Sequence, residues 1–103
     1  MGKFVRVATS SDIPVGGLKG FEVGRNRFVI AHTAEGFFAL ADECTHDSAP
    51  ISSGRVRGNE IVCPRHGARF DLKTGAVTAP PAVVAIDTLT VKIESDNILV
   101  WLE

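Results

Sequence analysis

Thr90-Val91-Lys92-Ile93-Glu94-Ser95-Asp96-Asn97-Ile98-Leu99-Val100-Trp101-Leu102 is the stretch whose pattern decides the fold. From Thr90 to Glu94 polar and apolar residues alternate, the period of a strand with one buried face, so Val91 and Ile93 are expected to face a core. Ile98–Leu102 is a second apolar run, and Asp96-Asn97 before it predicts a tight hairpin. Working back along the chain, glycines at positions 16, 17, 24, 36, 54, 58, 67 and 75 punctuate further short runs. These predict strands over Phe4–Ala8, Leu18–Val23, Arg27–His32, Phe37–Ala41, Glu60–Cys63 and Arg69–Asp71, with a hairpin loop at Gly24-Arg25-Asn26. No window keeps a 3.6-residue apolar period, and at most one helical turn is expected near Ser11–Pro14. The expectation is an all-β chain, a small antiparallel β-sandwich or barrel, forming a single domain over residues 1–103.

The composition fits that class and removes several others. Of 103 residues, 45% are hydrophobic and 22% charged, which is ordinary globular usage and excludes a disordered or collagen-like chain. A net charge of −1 argues against nucleic-acid binding and against a polybasic membrane-surface protein. The first residues, MGKFVRVATSSD, show no signal-peptide pattern, and no run approaches the about twenty apolar residues that cross a bilayer. A cytoplasmic protein without a membrane partner is expected. With only two cysteines a disulfide scaffold is excluded.

Residues 42–81 differ from the rest. They are rich in Pro, Gly, Ser and charge, and they hold both cysteines and two of the three histidines. Cys44-Thr45-His46 and Cys63-Pro64-Arg65-His66 form the pattern C-x-H-x16-C-x2-H, so each of two loops supplies one thiolate and one imidazole. Three explanations compete. The cysteines are buried as small hydrophobes and their neighbours are coincidental; or the four residues hold a structural zinc, although zinc fingers usually order a cysteine pair before a histidine pair; or two cysteines hold one iron and two histidines the other in a [2Fe–2S] cluster.

The two segments resemble the cluster-binding loops of the Rieske family. Phe70-Asp71, Thr74-Gly75 and Pro80-Pro81 are similar to that family's downstream pattern, and the likeness runs over essentially the whole chain. The resemblance implies a Rieske fold whose loop-rich cluster-binding subdomain spans about residues 42–81. It implies one [2Fe–2S] cluster, with Cys44 and Cys63 on the inner iron and His46 and His66 on the outer iron near the surface. It further implies that Pro80-Pro81 lies in a loop shielding the cluster.

That ligand set bears on the redox chemistry. Two ferric ions, two sulfides and two thiolates balance to neutrality, and reduction leaves a single negative charge. Four thiolates would make the cluster dianionic before reduction, which a low-dielectric site resists more strongly. Imidazoles in place of two thiolates therefore raise the potential, into a window of roughly −150 to +300 mV. High-potential members of the family carry two further cysteines that clamp the loops, and Ser and Tyr hydroxyls aimed at cluster sulfurs. The corresponding positions here are Ala49, Arg65, Ala68 and Phe70, and the chain contains no tyrosine. A potential at the low end is expected, about −150 mV to slightly above.

The remaining features are read as structure. His32 is an ordinary strand-end histidine, Trp101 and Phe37-Phe38 pack a β core, and Ser52-Ser53, His66 and Asp71 do not form a triad. Glu43, Asp47, Arg65 and Arg69 make a mixed-sign collar suited to short-lived docking of redox partners. The resemblance implies an electron-transfer component and not an enzyme in its own right, namely the ferredoxin of a multicomponent oxygenase. It would be a monomer taking single electrons from an NAD(P)H-dependent flavoprotein reductase to a terminal oxygenase of the aromatic-ring-hydroxylating type, with His46 and His66 as the exit. Two other classes remain: a small subunit of an assimilatory nitrite reductase, against which the intact ligands argue, and a zinc-stabilised interaction module.

Overall fold

The computed structural model describes residues 2–45, 49–82 and 84–103. Among these the chain forms β1 (Lys3–Thr9), β2 (Leu18–Val23), β3 (Asn26–Thr33), β4 (Gly36–Ala41), β5 (Arg55–Arg57), β6 (Glu60–Val62), β7 (Arg69–Asp71), β8 (Val77–Ala79), β9 (Thr88–Leu89), β10 (Val91–Glu94) and β11 (Asn97–Leu102). They build three antiparallel sheets, ordered β1-β11-β10, β2-β3-β4-β9 and β5-β6-β7-β8. The helical content among the described residues is two single 3-10 turns, Ser10–Asp12 and Ile51–Ser53. The architecture is the expected all-β one, built from stacked sheets and not closed into a barrel.

Strand β3 explains how the layers hold together. Phe28, Val29, Ile30 and Ala31 are consecutive and all fully buried. Side chains alternate across a strand, so the run feeds two cores at once. Phe28 and Ile30 pack with Ala39, Ile98 and Val100 on one side. Val29 and Ala31 pack with Leu40, Ile61, Phe70 and both cysteines on the other. The middle sheet thus has both faces covered, which is why Phe28–Ala31 reads as a continuous apolar run and not as an alternation. Each fully buried Phe or Ile here contributes roughly 1.5–3 kcal/mol of transfer free energy.

The C-terminal hairpin forms, with its turn one residue earlier than the sequence suggests. Glu94 pairs with Asn97, so Ser95-Asp96 makes the turn and Ser95 takes a φ of 54°. Val91 and Ile93 lie opposite Val100 and Ile98, on the core-facing side as expected. Ile93 nevertheless keeps 44% exposure, because β10 is an edge strand and Ile93 stands beside the turn at its rim. Trp101 corrects its expected role: it alternates with buried Val100 and Leu102 on β11, so it points outward and packs edge-on against Phe4 instead of into a core.

Residues 42–81 carry a sheet of their own. Of its strands, β5 and β8 escape the sequence reading: β6 and β7 are equally short but carry fully buried Ile61 and Phe70, whereas β5 and β8 turn in only a half-buried Val56 or Val77. The two-residue β9 escapes for the same reason, and it returns the chain to the middle sheet through Leu89 opposite Ala39.

Candidate metal centre

Cys44 and Cys63 leave the ends of β4 and β6 on two separate sheets and arrive in the same core, at 0% and 1% exposure. Each opens a turn closed by the same bond. The Cys44 amide donates to the Ala49 carbonyl at 2.7 Å, and the Cys63 amide donates to the Ala68 carbonyl at 2.7 Å. In both loops the cysteine amide therefore reaches the carbonyl five residues on. In the second loop Gly67 completes the turn at φ 75°, a left-handed backbone that a side chain rarely adopts, and its amide donates to the Cys63 carbonyl at 3.2 Å. Neither cysteine is in a disulfide.

The second loop turns outward after Cys63: Pro64, Arg65, His66 and Gly67 are all exposed, and Ala68 is buried again. A thiol at the bottom and an imidazole at the top of one turn give the loop a polarity from core to solvent. His46, expected to match His66 in the first loop, lies outside the described residues, as does Asp47. Among the described residues no three His, Cys, Asp or Glu side chains gather as a single-ion site; a two-iron cluster divides its ligands two to each iron. Ala68 and Phe70, at the positions read as lacking a hydroxyl, are fully buried in the same core as the cysteines.

A third segment meets the loops. Pro80-Pro81, joined by a cis peptide, is exposed, while Ala82 packs with the cysteines. The Thr45 hydroxyl donates to the Val84 carbonyl at 2.6 Å and so joins the first loop to this segment. At the base of the first loop Asp42 accepts two bonds from Ser52, one from its amide and one from its hydroxyl, both at 2.7 Å. Sequence reading missed Asp42, Thr45 and Ser52 as site residues; the available signal was only their place beside the cysteine motif.

His32 and the residues weighed as a triad fall where expected. His32 Nδ1 lies 2.7 Å from the Ile13 carbonyl, so it carries the proton and donates, and the ring stacks on Phe37 at 3.8 Å. The Ser52 hydroxyl is given to Asp42, and the Asp71 carboxylate accepts the Thr74 hydroxyl, which leaves no triad. In the charged collar Glu43 and Arg65 are exposed, and Arg69 lies 3.9 Å from Glu60. Titration is displaced elsewhere. The ammonium of Lys73 and the amide of Asn59 hold the Glu35 carboxyl below its usual range, and Glu35 raises Lys73 in return. The amide and hydroxyl of Thr9 lower Asp12.

Comparison with known proteins agrees with this arrangement. The Rieske [2Fe-2S] domain matches residues 3–93. The ferredoxin component of biphenyl 2,3-dioxygenase from Rhodococcus jostii (strain RHA1) is 34% identical over 98 residues, covering 95% of this chain and 92% of that protein. The ferredoxin of carbazole 1,9a-dioxygenase from Nocardioides aromaticivorans IC177 superposes with a TM-score of 0.89 at 32% identity, covering 94% of this chain and 95% of that one. A second solved structure, a complex of reduced oxygenase and oxidised ferredoxin in carbazole 1,9a-dioxygenase, matches with a TM-score of 0.88 at 28% identity, over 94% of this chain and 91% of that one. With the paired cysteine turns, the sheet order and these matches over nearly its full length, the chain belongs to the Rieske [2Fe-2S] domain family.

Proposed function

We propose that Cys44, His46, Cys63 and His66 hold one [2Fe–2S] cluster and that the chain is a one-electron carrier between a reductase and an oxygenase. The donor set fits such a group. Two thiols at the bottom of matching turns, one from each of two sheets, suit the inner iron, and exposed His66 suits the outer one. When bound, the cluster supplies a centre that takes up and returns one electron. The protein's part is to exclude water from the thiolates with Ala68, Phe70 and Ala82, and to leave the imidazole end open to a partner. Neutral imidazoles keep the added charge small enough for a buried site to accept.

Relatives that match nearly the whole chain support the choice of partners. They are ferredoxin components of aromatic dioxygenase systems, and one solved neighbour is a ferredoxin complexed with its oxygenase. We assign this chain the same place: electrons arrive singly from an NAD(P)H-dependent flavoprotein reductase and leave through the His46 and His66 end to a terminal oxygenase of the aromatic-ring-hydroxylating type. The exposed, mixed-charge collar around that end suits brief encounters better than a permanent complex. Residues 1–103 act as one domain with the cluster-bearing part at about 42–81, working as a cytoplasmic monomer. Two cysteines kept as buried thiols suit a reducing compartment.

The single observation that carries the reading is the pair of matching turns that bring two buried cysteines to one core while one turn rises to an exposed histidine. Metal analysis and the visible spectrum of aerobically purified protein test it. Red-brown protein holding iron and acid-labile sulfide in equal amounts, bleached by dithionite and restored by air, is the expected result. Colourless protein holding zinc contradicts it.

A further inference from the structure

The two cysteine turns share their inner bond, but the outer bases of their loops are held in different ways. The loop of Cys63 joins β6 to β7, and the ladder pair Val62 and Arg69 closes its base. The loop of Cys44 leaves β4 and ends in the 3-10 turn Ile51–Ser53, and among the described residues no ladder draws its two ends together. Asp42 and Ser52 do so instead. Asp42 Oδ1 accepts the Ser52 amide and Oδ2 accepts the Ser52 hydroxyl, both at 2.7 Å, so one carboxylate clasps the chain just before Cys44 to the 3-10 turn that follows it. Bonds to an ionised acceptor are about twice as strong as neutral ones, and here both residues are half-buried.

The surroundings support the clasp from two sides. Gly20 on β2 runs so close behind it that a Cβ there would stand 2.9 Å from Ser52 Cβ and 3.0 Å from Ser52 Oγ. Inside the loop Ile51 is fully buried next to the clasp, and at the far end Thr45 is tied to Val84. The bond from the Ser52 amide satisfies one of the orphan donors at the start of the 3-10 turn, and the bond from the Ser52 hydroxyl, a side-chain group, adds closure beyond that.

We propose that Asp42 is a positioning residue for the cluster loop: its paired bonds to Ser52 close the 43–51 loop and fix Cys44 beneath it, so that this clasp governs how firmly the cluster is retained. It does the work at the base of the first loop that the β6–β7 ladder does for the second. The inference rests on Cys44 being a ligand.

The test compares wild type with Asp42→Ala, Asp42→Asn and Ser52→Ala, each purified with its cluster. Three quantities are read: the rate of iron transfer to a ferrous chelator after reduction, the visible circular dichroism of the bound cluster, and amide exchange by mass spectrometry. Asp42→Ala is expected to release iron about tenfold faster or more, the worth of a lost charge-assisted bond. Its visible dichroism should change, and its exchange should quicken within residues 42–53 and not elsewhere. Asp42→Asn keeps an acceptor for the amide and Ser52→Ala keeps the amide bond, so both should fall between. Should Asp42→Ala not load, those two carry the comparison. Variants that keep the wild-type rate and dichroism overturn the clasp, as does faster exchange spread evenly over the chain. Wild-type protein without iron overturns the ligand set and the clasp together; coloured wild type with indifferent variants overturns the clasp alone.

Discussion

Lys73 Nζ lies 2.5 Å from Glu35 Oε1, and this ion pair joins the turn after β7 to the turn between β3 and β4. Asn59, from the turn between β5 and β6, donates to the other oxygen of the same carboxylate at 2.5 Å. Three turns from two sheets therefore meet on Glu35. Its carboxyl titrates lower folded than unfolded, so its contribution is present above the unfolded value and is lost as pH falls through the folded one. Lys73 titrates higher folded, so its share is present below its unfolded value and is lost as pH rises through the folded one. Lys73→Met should flatten the acid and alkaline limbs of the stability profile, by a small and salt-sensitive amount because the pair is exposed. Urea melts from acid to alkaline pH check this; a profile parallel to wild type contradicts it.

Ala68 is fully buried beside the cysteines, at a position where high-potential members of the family present a hydroxyl. Ala68→Ser is expected to raise the midpoint potential by about 40 mV, the equivalent of one ordinary hydrogen bond favouring the reduced state. Protein-film voltammetry reads the shift, and an unchanged or lowered potential refutes it.

Arg65 is exposed on the second loop, between Cys63 and His66. Its positive charge favours the reduced, more negative cluster, so Arg65→Glu should lower the potential on the order of tens of mV at low ionic strength. Screening by salt should shrink the shift. A shift that is absent at low salt, or that is insensitive to added salt, speaks against the effect.

Phe28 is fully buried in the core that does not contain the cysteines, stacked on Phe21 at 5.5 Å. Phe28→Ala should cost about 3–5 kcal/mol of stability. The potential of protein that remains folded should stay at its wild-type value, since the cavity opens on the far side of the middle sheet from Cys44 and Cys63. Denaturant melts paired with voltammetry separate the two effects.

The sequence made the long strands and both cysteine loops legible for different reasons. β2 and β7 were bounded correctly because glycines or turn residues flank clear runs, and the proposed ligands stand out in the sequence because the chemistry accepts few residue types. β5, β8 and β9 were not legible: β6 and β7 are as short as β5 and β8 but carry fully buried Ile61 or Phe70, whereas these three turn in only half-buried side chains such as Val56, Val77 and Leu89. Trp101 was misplaced because an aromatic residue on a terminal strand carries no sign of which face it takes until Val100 and Leu102 are seen inside. Asp42 and Ser52 look like any polar loop residues; only their meeting across the base of the loop, ten positions apart, gives them a role.

Two thiolates and two imidazoles are proposed to hold a cluster that passes one electron at low potential. A potentiometric titration of the purified protein, followed by its visible absorption, tests this proposal directly. A single reversible step that fits one electron is expected, with a midpoint of about −150 mV to slightly above. The absence of a redox step, a two-electron slope, or a midpoint above about +100 mV would contradict it.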